Sequence, residues 1–540
     1  MLSHVCPCFD GNLKDVFLSK KLIKSSVIVS FMTLVSRVLG LMRDVVIANV
    51  MGTGASADVF LFANKIPNFL RRLFAEGAFA QAFVPVLSEF QAVDEKDGTD
   101  TTRLLIAQVS GTLGVIVSLV TLFGVIASPL IVMIFGPGWF YDWLNDGPSA
   151  VKFDLAATLL KITFPYLWFI SFTALSGAIL NTMGRFAVAA FSPVLLNVCI
   201  IGAAIYLSPQ LSNPAYALAW GVFLGGLTQF LFQIPFLIKA GVLVKPKWAW
   251  QATGIVKIRQ LIIPALFGVS VTQINLLLDT VIASVLITGS ISWLYYADRL
   301  LEFPLGLFGI GIATVILPSL SGLHARKNTN EFSDTIDWAI KVISLLGWPA
   351  LAGLMVLAQP IIMVLFMRGE FSHSDVLQVS FALFAYLSGL MSFMLIKVLA
   401  PGYYSRQDTK TPVKIGIKAM IANMVFNLML APFFGYVGLA LATSLSASLN
   451  AFLLYRGLKS QGVYQLDQKT LLVILRLIFS AILMAGVVYY LSPSFDTWLT
   501  LTLFAQVQQL FICISLGALS YFGAIILLGI RFSDFHIKKH

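Results

Sequence analysis

Long apolar runs alternate with short polar breaks along nearly the whole chain of 540 residues. Within a run the apolar positions are continuous and do not alternate with polar ones. Most runs reach the about 20 residues that a helix needs to cross a bilayer. Fourteen spans are expected, with approximate limits 24–51, 57–90, 104–135, 153–181, 186–208, 214–238, 258–287, 290–322, 336–366, 376–400, 412–434, 436–455, 470–492 and 499–529. The first two and the eighth are the least hydrophobic. A transmembrane barrel is excluded, because its strands would alternate apolar and polar positions.

Composition agrees with an all-α, polytopic membrane protein. Hydrophobic residues make up 58% and charged residues only 11%, against about 25% charged in soluble domains. So little charge cannot cover a water-facing surface. With the N-terminus inside, 23 of the 36 Lys and Arg residues fall on the cytoplasmic side. The outer loops hold two, Lys152 and Arg368, and eleven lie in spans. This bias sets the orientation and places both termini in the cytoplasm. The net charge of +11 therefore reflects topology and calls for no nucleic-acid partner. Residues 1–20 lack the apolar core of a signal peptide and are expected to form a cytoplasmic tail. Cys6, Cys8, Cys199 and Cys513 imply no disulfide framework.

The chain resembles itself at an offset of about 235 residues. Asp44-Val-Val-Ile-Ala48 with Thr53-Gly54 answers Asp279-Thr-Val-Ile-Ala283 with Thr288-Gly289. Ala63-Asn64-Lys65 answers Ala297-Asp298-Arg299, and Pro85 to Ser88 answers Pro318 to Ser321. Six spans separate the matches, so the halves share an orientation, as in transporters built from parallel repeats. The expected domains are an N-lobe over 21–240, a C-lobe over 241–460, and a final pair of helices over 461–540.

Ionisable residues inside a span cost at least about 2.5–3.5 kcal/mol each at the bilayer centre, so they face water or a partner. Here Ser36-Arg37, Arg43 and Asp44 lie in span 1. Asp58, Lys65, Asn68, Arg71, Arg72 and Glu76 lie in span 2, with Asp58, Lys65, Arg72 and Glu76 on one helical stripe. Asp298, Arg299 and Glu302 lie in span 8, Asp279 in span 7 and Lys397 in span 10. Arg37 and Arg43 are about 120° apart around a straight helix, with Gly40 between them as a place to bend. Seven positive and six negative groups can pair among themselves, and Arg71-Arg72 can serve as interfacial anchors. The alternative is a basic cavity for an anionic head group, to which arginine is well suited. The polar connection Pro401–Pro412 reads as a cytoplasmic turn or as a gate.

No P-loop, H-E-x-x-H or G-x-S-x-G motif is present, so neither ATP hydrolysis nor a membrane enzyme is expected. No cofactor or metal site is expected, and the residues identify no coupling ion.

Ser36-Arg-Val-Leu-Gly-Leu-Met-Arg-Asp44, Lys65-Ile-Pro-Asn-Phe-Leu-Arg-Arg-Leu-Phe-Ala-Glu-Gly-Ala-Phe79, Trp293-Leu-Tyr-Tyr-Ala-Asp-Arg299 and Lys397-Val-Leu-Ala-Pro-Gly-Tyr-Tyr-Ser-Arg406 closely resemble the MurJ (MviN) lipid II flippase family. The resemblance runs from about Lys20 to the end. It implies the multidrug/oligosaccharidyl-lipid/polysaccharide exporter fold, related to the MATE transporters. That fold has fourteen helices, two six-helix lobes around a cationic cavity and a last helix pair forming a groove for a lipid tail. It implies lipid II as substrate, an undecaprenyl-diphosphate carrying the peptidoglycan disaccharide-pentapeptide. Membrane lipids and the cell-wall synthesis machinery are its implied partners. The family's cavity arginines map onto Arg37, Arg43, Arg71 and Arg299. Further binding positions map onto Ser36, Asp58, Lys65, Arg72, Glu76, Ser292, Asp298 and Glu302. Asp279 and Lys397 receive no role from the resemblance. The rival readings are a cation-coupled multidrug exporter or another polyprenyl-linked oligosaccharide exporter of the same fold, an enzyme acting on polyprenyl-diphosphates, and a non-transporting scaffold.

Overall fold

A computed structural model describes residues 13–72 and 78–535. Every regular element among the described residues is helical, as continuous apolar runs require when all backbone groups must be satisfied inside lipid. Helix α1 (Leu13–Met51) begins within the stretch expected as a tail and runs unbroken through Gly40. Helices α2 (Ala55–Arg71) and α3 (Ala78–Asp97) flank residues 73–77, which are not described, and α4 (Thr101–Ile126) follows. Short helices α5 (Ser128–Phe135) and α6 (Pro137–Leu144) lead to α7 (Ala150–Thr163), α8 (Tyr166–Thr182), α9 (Phe186–Gly202) and α10 (Pro214–Lys239). The second half contains α11 (Thr253–Ser284), α12 (Ser290–Pro304), α13 (Ile310–Ala325), α14 (Thr329–Phe366), α15 (His373–Leu387), α16 (Leu390–Leu399), α17 (Pro401–Tyr404) and α18 (Lys410–Ser460). It ends with α19 (Gln468–Leu491), α20 (Phe495–Thr500) and α21 (Leu503–Leu527).

Ten helical segments among the described residues are long and apolar enough to cross a membrane. The charged helices α1 and α2 are not among them, and α11 contributes only the shorter apolar stretch Ile274–Ser284. Expected spans 11 and 12 occupy the two halves of α18, a 51-residue stretch too long for a single crossing of about 30 Å of hydrocarbon. Gly435 breaks that helix with φ 57° and ψ −135°, a conformation open to glycine alone. Expected span 8 is one continuous helical segment, Ser290–Ala325, in which a π-turn over Leu305–Gly309 next to Pro304 lies between α12 and α13.

The chain divides into two compact units. One comprises the residues up to Ile47, Pro67–Ser128 and Leu159–Val269. Its core joins Phe79, Phe83 and Leu87 of α3 to Leu105 and Val109 of α4, Leu175 and Ile179 of α8, Leu237 of α10 and Ile255 of α11. The other comprises Ala48–Ile66, Pro129–Thr158 and everything from Ser270 onward. There, Leu357 of α14 packs with Leu477, Met484 and Val488 of α19 and with Cys513 and Tyr521 of α21, so the final helix pair is seated on α14.

Candidate functional site

In the first unit, α1 presents Ser36, Arg37 and Arg43. Arg37 is exposed and Arg43 half-buried, as expected of positions on different faces of a continuous helix. No polar partner meets Arg37 among the described residues. Arg43 is held: its Nε and Nη2 donate to Asp44 Oδ1 at 3.0 and 2.7 Å, and its Nη1 donates to Asn197 Oδ1 of α9 at 3.2 Å. Asn197 Nδ2 in turn donates to the Ser36 carbonyl at 3.2 Å. One asparagine therefore ties α9 to both ends of the Ser36–Asp44 motif. On α2, Arg71 Nε donates to Asn68 Oδ1 at 3.1 Å; Arg71 is half-buried and Arg72 exposed. Glu76 lies outside the described residues.

In the second unit, Asp58 is 2% exposed and Ser292 fully buried. The Asp58 carboxylate accepts from the Gly289 amide at 2.7 Å, the Ser292 amide at 2.9 Å and the Ser292 hydroxyl at 2.7 Å. It caps the N-terminus of α12 from another helix, where free amides and the helix dipole favour negative charge. Gly289 makes this cap possible. Its φ is 98°, and a Cβ there would come within 2.5 Å of the Trp293 ring. Lys152 completes the group. It is 4% exposed, 3.7 Å from Asp58 Oδ2 and 2.8 Å from Thr288 Oγ1, and it lies over the Trp139 ring. Pattern reading places Lys152 in a water-facing outer loop, because Asn145–Asp154 is polar in sequence. Only the fold reveals that it is buried against a carboxylate.

Beside Trp293, Thr53 and the indole Nε1 both meet Asp375 Oδ1, at 2.5 and 3.3 Å, while Ser372 occupies the other carboxylate oxygen.

Further along α2, Lys65 is half-buried and donates to Thr280 Oγ1 of α11 at 3.2 Å. The carboxylates that face it are Asp279, Asp298 and Asp58. Asp279, left without a role by the sequence, accepts from Asn427 Nδ2 at 2.6 Å. Asn427 also donates to Asn423 at 2.9 Å, and Asn423 reaches Thr443 at 3.4 Å. On α12, Arg299 Nη1 lies 3.3 Å from Glu302 Oε2, one turn away. Asp298 is half-buried and Glu302 exposed. Lys397 is exposed and joins none of these groups.

The expected site residues thus separate by environment. Asp58 and Ser292 are spent on each other and on the start of α12. Arg37 and Arg72 are exposed, and Arg71 and Arg299 half-buried. No cluster of three or more His, Cys, Asp or Glu residues suited to a metal occurs among the described residues.

The family described as "Lipid II flippase MurJ" matches residues 47–508. A "Probable lipid II flippase MurJ" of Vibrio cholerae is 63% identical over 520 residues, covering 96% of this chain and 98% of that protein. The solved structure "Lipid II flippase MurJ, inward closed conformation" aligns with a TM-score of 0.77 at 28% identity, over 93% of this chain and 98% of that one. An inward-facing multidrug resistance MATE family transporter of the MOP superfamily aligns with a TM-score of 0.66 at 13% identity, over 81% and 97%, which shows a shared fold. With most of its length matched by the family and nearly all of it aligned to a relative at 63% identity, the chain belongs to the MurJ lipid II flippase family.

Proposed function

We propose that this chain carries lipid II from the cytoplasmic to the outer leaflet of the bacterial inner membrane by alternating access. The observation that carries the reading is the 63% identity, over nearly the full length, to a relative named as a probable lipid II flippase; the exposed Arg37 and Arg72 and the half-buried Arg43, Arg71 and Arg299 support it. The obstacle is physical: a diphosphate head group must cross about 30 Å of hydrocarbon. Arg37, Arg43, Arg71 and Arg299 replace part of its hydration through charge-assisted hydrogen bonds. Lys65 and Arg72 add positive charge. Asp298, Glu302 and Glu76 orient these cations, Asp58 and Ser292 shape the helix start beside them, and Ser36 supports the first arginine motif. The chain moves its substrate without altering it covalently.

In this reading fourteen spans form two six-helix lobes, 21–240 and 241–460, around a central cationic cavity. The last two helices hold the polyprenyl tail, and both termini are cytoplasmic. Two contacts support the repeat. Arg43, next to Asp44, reaches Asn197, and Asp279, the counterpart of Asp44, reaches Asn427, so both halves link corresponding helices through an asparagine. The membrane potential or an ion gradient resets the cycle, and the cell-wall synthesis machinery takes the exported lipid.

Purified protein in vesicles containing head-group-labelled lipid II tests this. The wild-type protein is expected to expose the inner-leaflet pool to an enzyme added outside, and Arg299→Ala to leave it protected. A wild-type protein that leaves the inner pool protected overturns the reading.

A further inference from the structure

The connection from α10 to α11 is a strap laid over α4. The Lys247 amide donates to the Ala107 carbonyl at 2.7 Å, and the Ala249 amide donates to Thr112 Oγ1 at 3.4 Å. Gly111 permits this approach: a Cβ there would lie 2.3 Å from the Lys247 carbonyl carbon. Val242 is buried in a cluster with Leu237, Ile255 and Ile258. The strap is therefore fixed by its backbone and a valine, and its larger side chains are left outside.

Those side chains have a definite chemistry. Trp248 is 56% exposed and Trp250 38%. Their rings stack at 6.0 Å with an interplanar angle of 8°, and the Arg259 guanidinium lies 4.8 Å above Trp250. Lys245 and Lys247 are exposed. Five basic residues and no acidic one occur from Lys239 to Arg259, and the nearby Glu89 is already occupied by Lys257 at 2.6 and 2.7 Å. Ile238 of α10 and Leu261 and Ile263 of α11 are exposed apolar residues on the adjoining turns, which marks those faces as lipid-contacting. Tryptophan concentrates where hydrocarbon gives way to head groups, and clustered lysine and arginine at that depth attract anionic lipid.

We propose that the strap over residues 242–251, together with Arg259, is a docking surface for anionic phospholipid head groups. Trp248 and Trp250 enter the interface, and Lys245, Lys247 and Arg259 engage the phosphates. The occupant is lipid because charge complementarity selects an anion and because the helices on either side already turn apolar side chains outward at this level. A soluble partner would have to displace that lipid.

The test uses the full-length protein in vesicles of phosphatidylcholine with phosphatidylglycerol, with one or the other lipid brominated. Trp248→Phe/Trp250→Phe isolates the contribution of the two indoles among the 10 tryptophans of the chain. Their fluorescence is expected to be quenched preferentially by brominated phosphatidylglycerol, with an apparent preference of about tenfold. Lys245→Gln/Lys247→Gln is expected to remove the preference while quenching by brominated phosphatidylcholine persists. Equal quenching by both lipids in the wild type overturns the proposal, because the surface then lies in the interface without selecting anions. Absence of quenching by either overturns it too, because the strap then stands in water or under a protein.

Discussion

Asp58 shows how one side chain can serve as a structural brace inside a stripe of charges. Three hydrogen bonds from Gly289 and Ser292, and Lys152 at 3.7 Å, surround it. Removing one member of a buried ion pair costs about 3–5 kcal/mol, since the other is left uncompensated. Asp58→Ala is thus expected to lower thermal stability in detergent severely. Lys152→Met should cost less, because the carboxylate keeps its three donors. The double variant should lose clearly less than the sum of the two; additive losses would show that the pair does not couple. The arginines behave differently. Arg299 meets Glu302, one helical turn away, at 3.3 Å on a partly exposed surface, where an ion pair contributes little to stability. Arg299→Ala is expected to abolish support of growth at normal protein levels, and retained support would count against a substrate role. At Arg37, reversal to Glu should impair more than replacement by Lys; equal activity of both with the wild type would place Arg37 among purely structural charges. These arginines were legible because they sit in spans that cannot tolerate idle charge. Lys152 was not legible, since burial of a lysine from a polar stretch depends on a carboxylate almost a hundred residues away in the sequence.

At the level of elements, apolar run length located helices α4, α8, α9, α10, α14, α19 and α21 well. It placed the break between spans 11 and 12 at Gly435, where the chain kinks, but it could not show the π-turn between α12 and α13, because that is a backbone event inside apolar sequence. Close approach at Gly111 was equally hidden. A Cβ there overlaps the backbone of the strap, so Gly111→Ala is expected to destabilise the first unit by about 1–3 kcal/mol, the usual cost of overpacking; unchanged thermal unfolding would refute the contact. The Pro401–Pro412 connection permits a pH prediction. The Thr411 hydroxyl and amide hold the Asp408 carboxyl below its ordinary range. A carboxylate depressed in the folded state contributes its stability in full above its unfolded pKa of about 3.9, and loses it as the pH falls through the lower folded value. Hydrogen exchange at the Thr411 amide is therefore expected to show constant protection from pH 7 to 5 and a loss only below about pH 4. Loss of protection near pH 6 would assign control of this turn to another group.

For the whole molecule, charge asymmetry and the internal repeat are the sequence features that need no knowledge of side-chain partners. They predict that single cysteines introduced at Arg326 or Ser460 of a cysteine-free variant are labelled only from the cytoplasmic side, and one at Tyr141 only from outside; the reverse pattern would invert the topology. Charge and spacing alone left the substrate open, because a basic membrane site does not distinguish a diphosphate-linked sugar from another anion; it was the long motifs' resemblance to the MurJ family that implied lipid II. Membership of the MurJ family narrows that choice. The most direct measurement is the sidedness of the lipid-linked wall precursor in cells depleted of this protein, read by whether an enzyme added outside can cleave it. The account predicts that outside exposure disappears while precursor accumulates inside. Persistent exposure, in cells with no second flippase, would contradict it.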